Sequence, residues 1–172
     1  MALLSRVTWR EWLGLGAGLL ALVTLFLPWT VLSADNPEVQ AALSSLPGGD
    51  VSRSAWNSTF FAWFPPLLLL LAGLAVAAFG RVPSARTGGL PHLWLVASAV
   101  ALVSFVLGWV LIDWQFGGEE RALLAESGVS VDAGLGRWLA ALAVLASLVA
   151  AILDLREARA ESRRPRKLPR TR

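Results

Sequence analysis

The chain has 172 residues, 56% of them hydrophobic, with a mean hydropathy of +0.61, a net charge of +3 and one histidine. Soluble domains sit nearer roughly 45–50% apolar, so this is a membrane composition. The absence of cysteine excludes disulfides, thiol chemistry and cysteine-based metal centres, and the lone His92 has no carboxylates close in sequence with which to build one.

Residues 1–11 are short and mildly basic, with Arg6 and Arg10. A basic start before an apolar run can be a secretory signal. The run that follows exceeds the h-region of about 7–15 residues, and the nearest cleavage-like position, ending at Ala34, has Leu32 where a small residue belongs. An uncleaved anchor is the better reading. Residues 12–32 form an uncharged stretch long enough to cross a hydrocarbon core of about 30 Å as a helix. Its Gly14 and Gly18 make a GxxxG spacing, read as helix packing and not as a specific dimer signal, and Pro28 is expected to loosen its last turn.

The first loop, residues 33–58, carries Asn36-Pro37-Glu38, which reads as an N-cap, a proline at the first helical position and an acid in the first turn. A short helix from Pro37 to Leu46 should follow and stop at Pro47-Gly48-Gly49, with Ala41, Ala42 and Leu46 on its packed side. The Asn57-Ser58-Thr59 sequon touches the membrane boundary and carries little weight. The second span is 59–79, where Pro65-Pro66 should start or bend the helix. Gly80 to His92 is rich in proline and glycine and predicts no regular structure. The third span is 93–112, with Ala97, Ala101, Ser104 and Gly108 forming a stripe of small residues.

Residues 113–137 form the second outer loop. Acidic Glu119 and Glu120 open a short helix, and Gly128 suits the position just past its end. The last span is 138–155, and its helix should run a turn or two beyond. From there the tail, 156–172, is basic and expected to be disordered. Arg163, Arg164, Arg166 and Lys167 lie beside the membrane, where each gains about 1 kcal/mol near an anionic leaflet. An equally good reading makes the tail the topology signal alone.

Charge sets the orientation. The N-terminus, the 80–92 loop and the tail hold twelve of the fifteen Lys and Arg residues, whereas the two long loops hold eight of the twelve acids. The positive-inside rule puts both termini in the cytoplasm. Tryptophans at the span ends read as an aromatic belt, with Trp29, Trp56, Trp63, Trp109, Trp114 and Trp138 on the outer side and Trp9, Trp12 and Trp94 on the inner. Most aromatics thus lie on the acidic side, away from the basic face that nucleic-acid stacking needs. Residues 22–32 and 102–112 align at an offset of 80 with Leu22/Leu102, Val23/Val103, Leu27/Leu107 and Trp29/Trp109 identical, which raises an internal repeat as one of two even readings.

Chemistry is sparse. With the last span's apolar run taken from Trp138 to Leu153, ahead of Asp154, no span contains Asp, Glu, Lys, Arg or His, which argues against a pump or an ion-coupled transporter. Thr24, Ser98, Ser104 and Ser147 read as interhelical glue. Glu119-Glu120 reads as a helix cap, with a cation site shared with Asp113 and Asp132 as the weaker alternative, and His92 as a boundary residue. No catalytic, cofactor-binding or metal-binding residues are assigned.

Three segments carry a resemblance: the LPW that ends the first apolar stretch, AWNSTFFAWFPPLLLLLAGL (55–74), and GLGRWLAALAVL (134–145). They resemble small four-span membrane proteins of the actinobacterial type, mostly of uncharacterised function, among them the tryptophan-associated membrane proteins. The resemblance implies topology and no active site. The topology also looks like that of claudins and tetraspanins, but the cysteines of their outer loops are absent.

The expected fold is therefore an all-α integral membrane four-helix bundle, 1–155, with cytoplasmic termini and two outer loops that each hold a short helix. The expected function is a non-enzymatic accessory or scaffold protein of the plasma (inner) membrane, multi-pass and cofactor-free. It would bind another membrane protein or itself, and anionic lipid headgroups through the tail. The alternative is a transporter or channel component that forms a path on oligomerisation. A lipid-modifying enzyme with its site in the acidic loops is a third, weaker reading.

Overall fold

A computed structural model describes residues 8–80, 82–111 and 116–162. In chain order these form α1 (Trp9–Thr24), β1 (Pro28–Ala34), α2 (Pro37–Ser45), the short turn α3 (Gly48–Val51) and β2 (Ser52–Ser54). A 3-10 turn (Ala55–Asn57) leads into α4 (Phe60–Phe79), α5 (Pro83–Thr87), α6 (Leu90–Val110), α7 (Gly118–Glu126), β3 (Val129–Ala133) and α8 (Leu135–Ser162). The chain is mostly helical. The four long helices α1, α4, α6 and α8 pack side by side, with α1 against α4 and α8, and α6 against α4 and α8.

Three of them, α4, α6 and α8, are long and apolar enough to cross a membrane. Their packing explains why they carry apolar residues all round. Many inward positions are small: Ala17, Gly18 and Ala21 on α1, Gly73 on α4, Ala101 and Gly108 on α6, Ala140, Ala143, Ala150 and Ala151 on α8, interleaved with larger residues such as Leu69, Phe105 and Val144. The outward positions are large: Leu71, Leu74, Val96, Val103, Val110, Leu142 and Val149 are all exposed. Water would drive the large residues inward. In lipid that drive vanishes, and close backbone contact through small residues holds helices together instead.

The close contacts are specific. A Cβ on Gly73 would lie 2.7 Å from the Gly14 carbonyl oxygen, and one on Gly18 would lie 3.0 Å from the Leu69 carbonyl, so α1 and α4 cross with backbones touching. The Gly14/Gly18 pair is thus spent within the chain, on α4 and on the Trp94 ring. Pro65 and Pro66 sit buried inside α4, which starts five residues earlier at Phe60. Pro65 has no N–H to offer the Phe61 carbonyl. Gly108 of α6 packs onto that freed oxygen, 2.7 Å from where its Cβ would be.

The first apolar stretch departs from expectation. Residues 12–32 are not one helix: α1 stops at Thr24 after 16 residues, a rise of about 24 Å, and Pro28 opens a strand. Pro28 disfavours helical geometry at the residue before it and has no N–H for the Thr24 carbonyl. The chain leaves the helix through two tightened bonds, Leu25 N to Leu22 O and Phe26 N to Val23 O. The long loops then supply partners, so the fold is not all-α. It contains a three-stranded antiparallel sheet of order β2-β1-β3.

Other elements differ in detail. Asn36 caps α2 through Glu38 N at 2.9 Å as expected, but Ala41, Ala42 and Leu46 are exposed; the partly buried residues are Val39 and Leu43. Gly80 to His92 is not irregular: it forms α5 and, from Leu90, the start of α6. Pro91 falls in the first turn of α6, where a missing N–H costs nothing. The aligned segments differ in structure: the first leaves its helix at Thr24 and is strand from Pro28, whereas the second is helix from 102 to 110.

Gly73→Ala is predicted to lower stability by about 1–3 kcal/mol through overpacking. Gly16→Ala, with open space around the position, should be neutral or stabilising by up to about 1 kcal/mol. Denaturant titration of both variants in detergent checks the contrast.

Candidate functional site

Polar chemistry collects at the two ends of the helical body. At the sheet end, β1 carries Trp29 and Thr30 directly out of α1, and both are buried. Trp29 meets Phe105 edge to face at 5.9 Å, and Phe105 continues to Trp109 and Trp109 to Trp138. Into this aromatic layer α8 inserts Arg137, which is 1% exposed. Its guanidinium lies 5.4 Å from the Trp29 ring and 5.4 Å from the Trp109 ring, and Nη2 donates to Thr30 Oγ1 at 3.4 Å. Nε and Nη1 have no hydrogen-bond partner among the described residues. Gly134 N donates to the Trp29 carbonyl at 3.0 Å, so β1 is bound by backbone as well as by cation–π contact. The arrangement pins the sheet to the helices α6 and α8.

The sheet and the short helices form a cap. Arg53 of β2 lies over the Phe116 ring at 4.6 Å and pairs with Glu120 at 3.0 Å. Glu120 also accepts from Gly117 N at 3.3 Å, so it serves the helix terminus as expected. Glu119 is exposed. Asp132 joins Ser33 and Ser130 in a hydroxyl–carboxylate cluster across β1 and β3. Among the described residues no group of three His, Cys, Asp or Glu is placed to hold a metal ion. Asp113, and so the four-carboxylate site it would complete, lies outside the described residues.

The opposite end is charged. Arg10 of α1 pairs with Glu157 of α8, and Arg86 of α5 reaches Asp154 at 3.6 Å and Glu161 at 4.0 Å. Glu11 is buried and accepts from Thr8 N at 2.8 Å, closing a capping box. His92 is exposed in the first turn of α6. The helix α8 runs on to Ser162, as its sequence predicts. Arg163, Arg164, Arg166 and Lys167 lie outside the described residues.

Within the body, Ser98 and Ser147 are 3.0 Å apart and Trp94 Nε1 donates to Ser147 at 3.2 Å, tying α6 to α8. Thr24 turns back on Ala21 O at 2.7 Å and bridges to no other helix among the described residues. Trp29 and Trp94 are core residues and not members of an interfacial belt. Trp9, Trp12, Trp56 and Trp138 are exposed.

The Arg137 stack escapes sequence reasoning because its parts lie on three separate segments. One signal was present: the aligned residues Trp29 and Trp109 are the two rings that face the guanidinium. Comparison of the chain with models of known protein families, with curated proteins and with solved structures finds no match.

Arg137→Lys removes the planar group that both rings stack on. The variant is predicted to lose about 1–2 kcal/mol and to expose residues 35–57 to faster cleavage in limited proteolysis.

Proposed function

We propose that the chain is a multi-pass plasma-membrane protein of four spans with both termini cytoplasmic, acting as a non-enzymatic accessory or scaffold protein through its cap. The observation that carries this reading is how polar groups are distributed. Inside the helical body Ser98, Ser147 and Trp94 satisfy one another, and the faces turned outward are apolar. At the sheet end α2 and α7 lie on the surface with no buried residue of their own, so the cap offers side chains to a partner. The charge bias of the sequence favours placing the sheet end outside and the charged end in the cytoplasm. In this arrangement α1 is the shortest crossing, with Leu25 to Leu27 completing its depth. The resemblance to small four-span membrane proteins of actinobacterial type accords with the same reading.

Purification from native membranes in mild detergent, with mass spectrometry of what co-migrates, tests it. A foreign protein at fixed stoichiometry is expected. Recovery of the chain without any foreign protein contradicts the proposal.

The alternative, a transporter or channel component that forms a path on oligomerisation, would require water along the serine stripe. Ser98→Cys and Ser104→Cys are predicted to stay unlabelled by a membrane-impermeant maleimide in intact membranes, since both side chains are buried. Rapid labelling would favour a channel component.

A further inference from the structure

At β3 the sheet ends in an edge whose one charge, Asp132, is engaged by the Ser33 and Ser130 hydroxyls. β3 is Val-Ser-Val-Asp-Ala, residues 129–133, and among the described residues only β1 pairs with it. Edge strands are ordinarily blunted by lysine, proline or a bulge. β3 has none of these.

Register fixes which groups face outward. β1 and β3 pair as Thr30↔Ala133, Val31↔Asp132, Leu32↔Val131, Ser33↔Ser130 and Ala34↔Val129. Gly134 N bonds to Trp29 O in the same register, so Trp29/Gly134 is a hydrogen-bonded pair. Antiparallel ladders alternate. The next hydrogen-bonded pairs are therefore Val31/Asp132 and Ser33/Ser130. It follows that Val129, Val131 and Ala133 turn their backbone N–H and C=O groups away from β1, towards the open edge.

That edge is self-complementary about Val131. If a second strand of the same sequence is laid antiparallel with Val131 opposite Val131, Val129 falls opposite Ala133. All three pairs are then of the hydrogen-bonded kind on both strands. On the other face Ser130 falls opposite Asp132, so the two acids avoid each other and each meets a hydroxyl. Beside the edge lies an open depression of about 290 Å³ lined by Arg121, Leu124, Ala125, Val129 and Val131, which has room for the incoming valines.

We propose that β3 is a homodimerisation edge: two copies of the chain join β3 to β3 in this register and form one six-stranded sheet across the paired caps. The inference rests on the sheet and stands independently of any accessory role.

The cysteine-free chain allows a clean test by single-cysteine cross-linking of the full protein in its membrane. Opposed residues in a hydrogen-bonded pair have Cα atoms about 5.5 Å apart, within disulfide reach. With an oxidant, Val131→Cys is expected to give a disulfide-linked dimer in high yield. Ser130→Cys and Asp132→Cys should each give little dimer alone and a strong heterodimer when co-expressed. Equal cross-linking at all three positions, or none at 131, overturns the proposal. A second readout uses Val131→Pro, which removes an outward N–H and spares the ladder to β1. Sedimentation in detergent should show a dimer for the parent chain and a monomer for Val131→Pro; a monomeric parent or a variant that stays dimeric overturns it. A foreign protein's presence or absence bears on the accessory reading and leaves these outcomes unchanged.

Discussion

Everything in this molecule depends on backbones touching where α1 crosses α4 and where α4 crosses α6. Gly14, Gly18 and Gly73 close the first crossing, and Gly108 closes the second against the Phe61 carbonyl. A side chain at these positions would push the helices apart and open the layer in which Leu25, Leu69, Phe105 and Val144 pack together. Lipid makes this arrangement favourable. It gives large apolar residues no reason to turn inward, so dispersion contacts and interhelical bonds decide the packing. The Trp94–Ser147–Ser98 bonds add direction to contacts that are otherwise only close.

The cap inherits its position from the body through Arg137. A buried guanidinium is costly to desolvate, and here two indole faces and the Thr30 hydroxyl offset that cost. Because Trp29 and Thr30 belong to the central strand of the sheet, fixing them fixes β2 on one side and β3 on the other. The charged end has its own ties, Arg10–Glu157 and Arg86–Asp154, which join α1 and α5 to α8. The fold is thus clamped at both ends by cations from different segments, with an uncharged layer between.

Hydropathy and capping chemistry made much of the helical structure legible. The spans read at 59–79 and 93–112 correspond to α4 and α6, and the cap residue Asn36 and the acids of α7 mark real helix starts. What failed was the stretch 12–32. Averaged hydropathy cannot tell an apolar strand from the end of a span, and the one breaker, Pro28, was read as loosening a last turn when the helix ends before it and a strand begins there. The sheet was missed because β3 pairs with β1 over about a hundred residues, Ala34 with Val129 for example, β2 is only three residues long, and the alternation of Val129-Ser130-Val131-Asp132-Ala133 is confined to five residues inside a stretch read as loop. The tryptophans misled for a related reason. An aromatic near a span end is assigned to the interface by position, yet Trp29 and Trp94 each have a neighbour that makes them core: Arg137 for one, Gly14 and Ser147 for the other.

The most direct measurement is a spin-label scan along α6 in lipid vesicles, reading accessibility to oxygen and to a water-soluble quencher. Labels at Val96, Val103 and Val110 should be oxygen-accessible and closed to the aqueous quencher, whereas labels at Ser98 and Ala101 should be closed to both. High aqueous accessibility at Val103 would contradict a lipid-facing belt of large residues around a core rich in small ones.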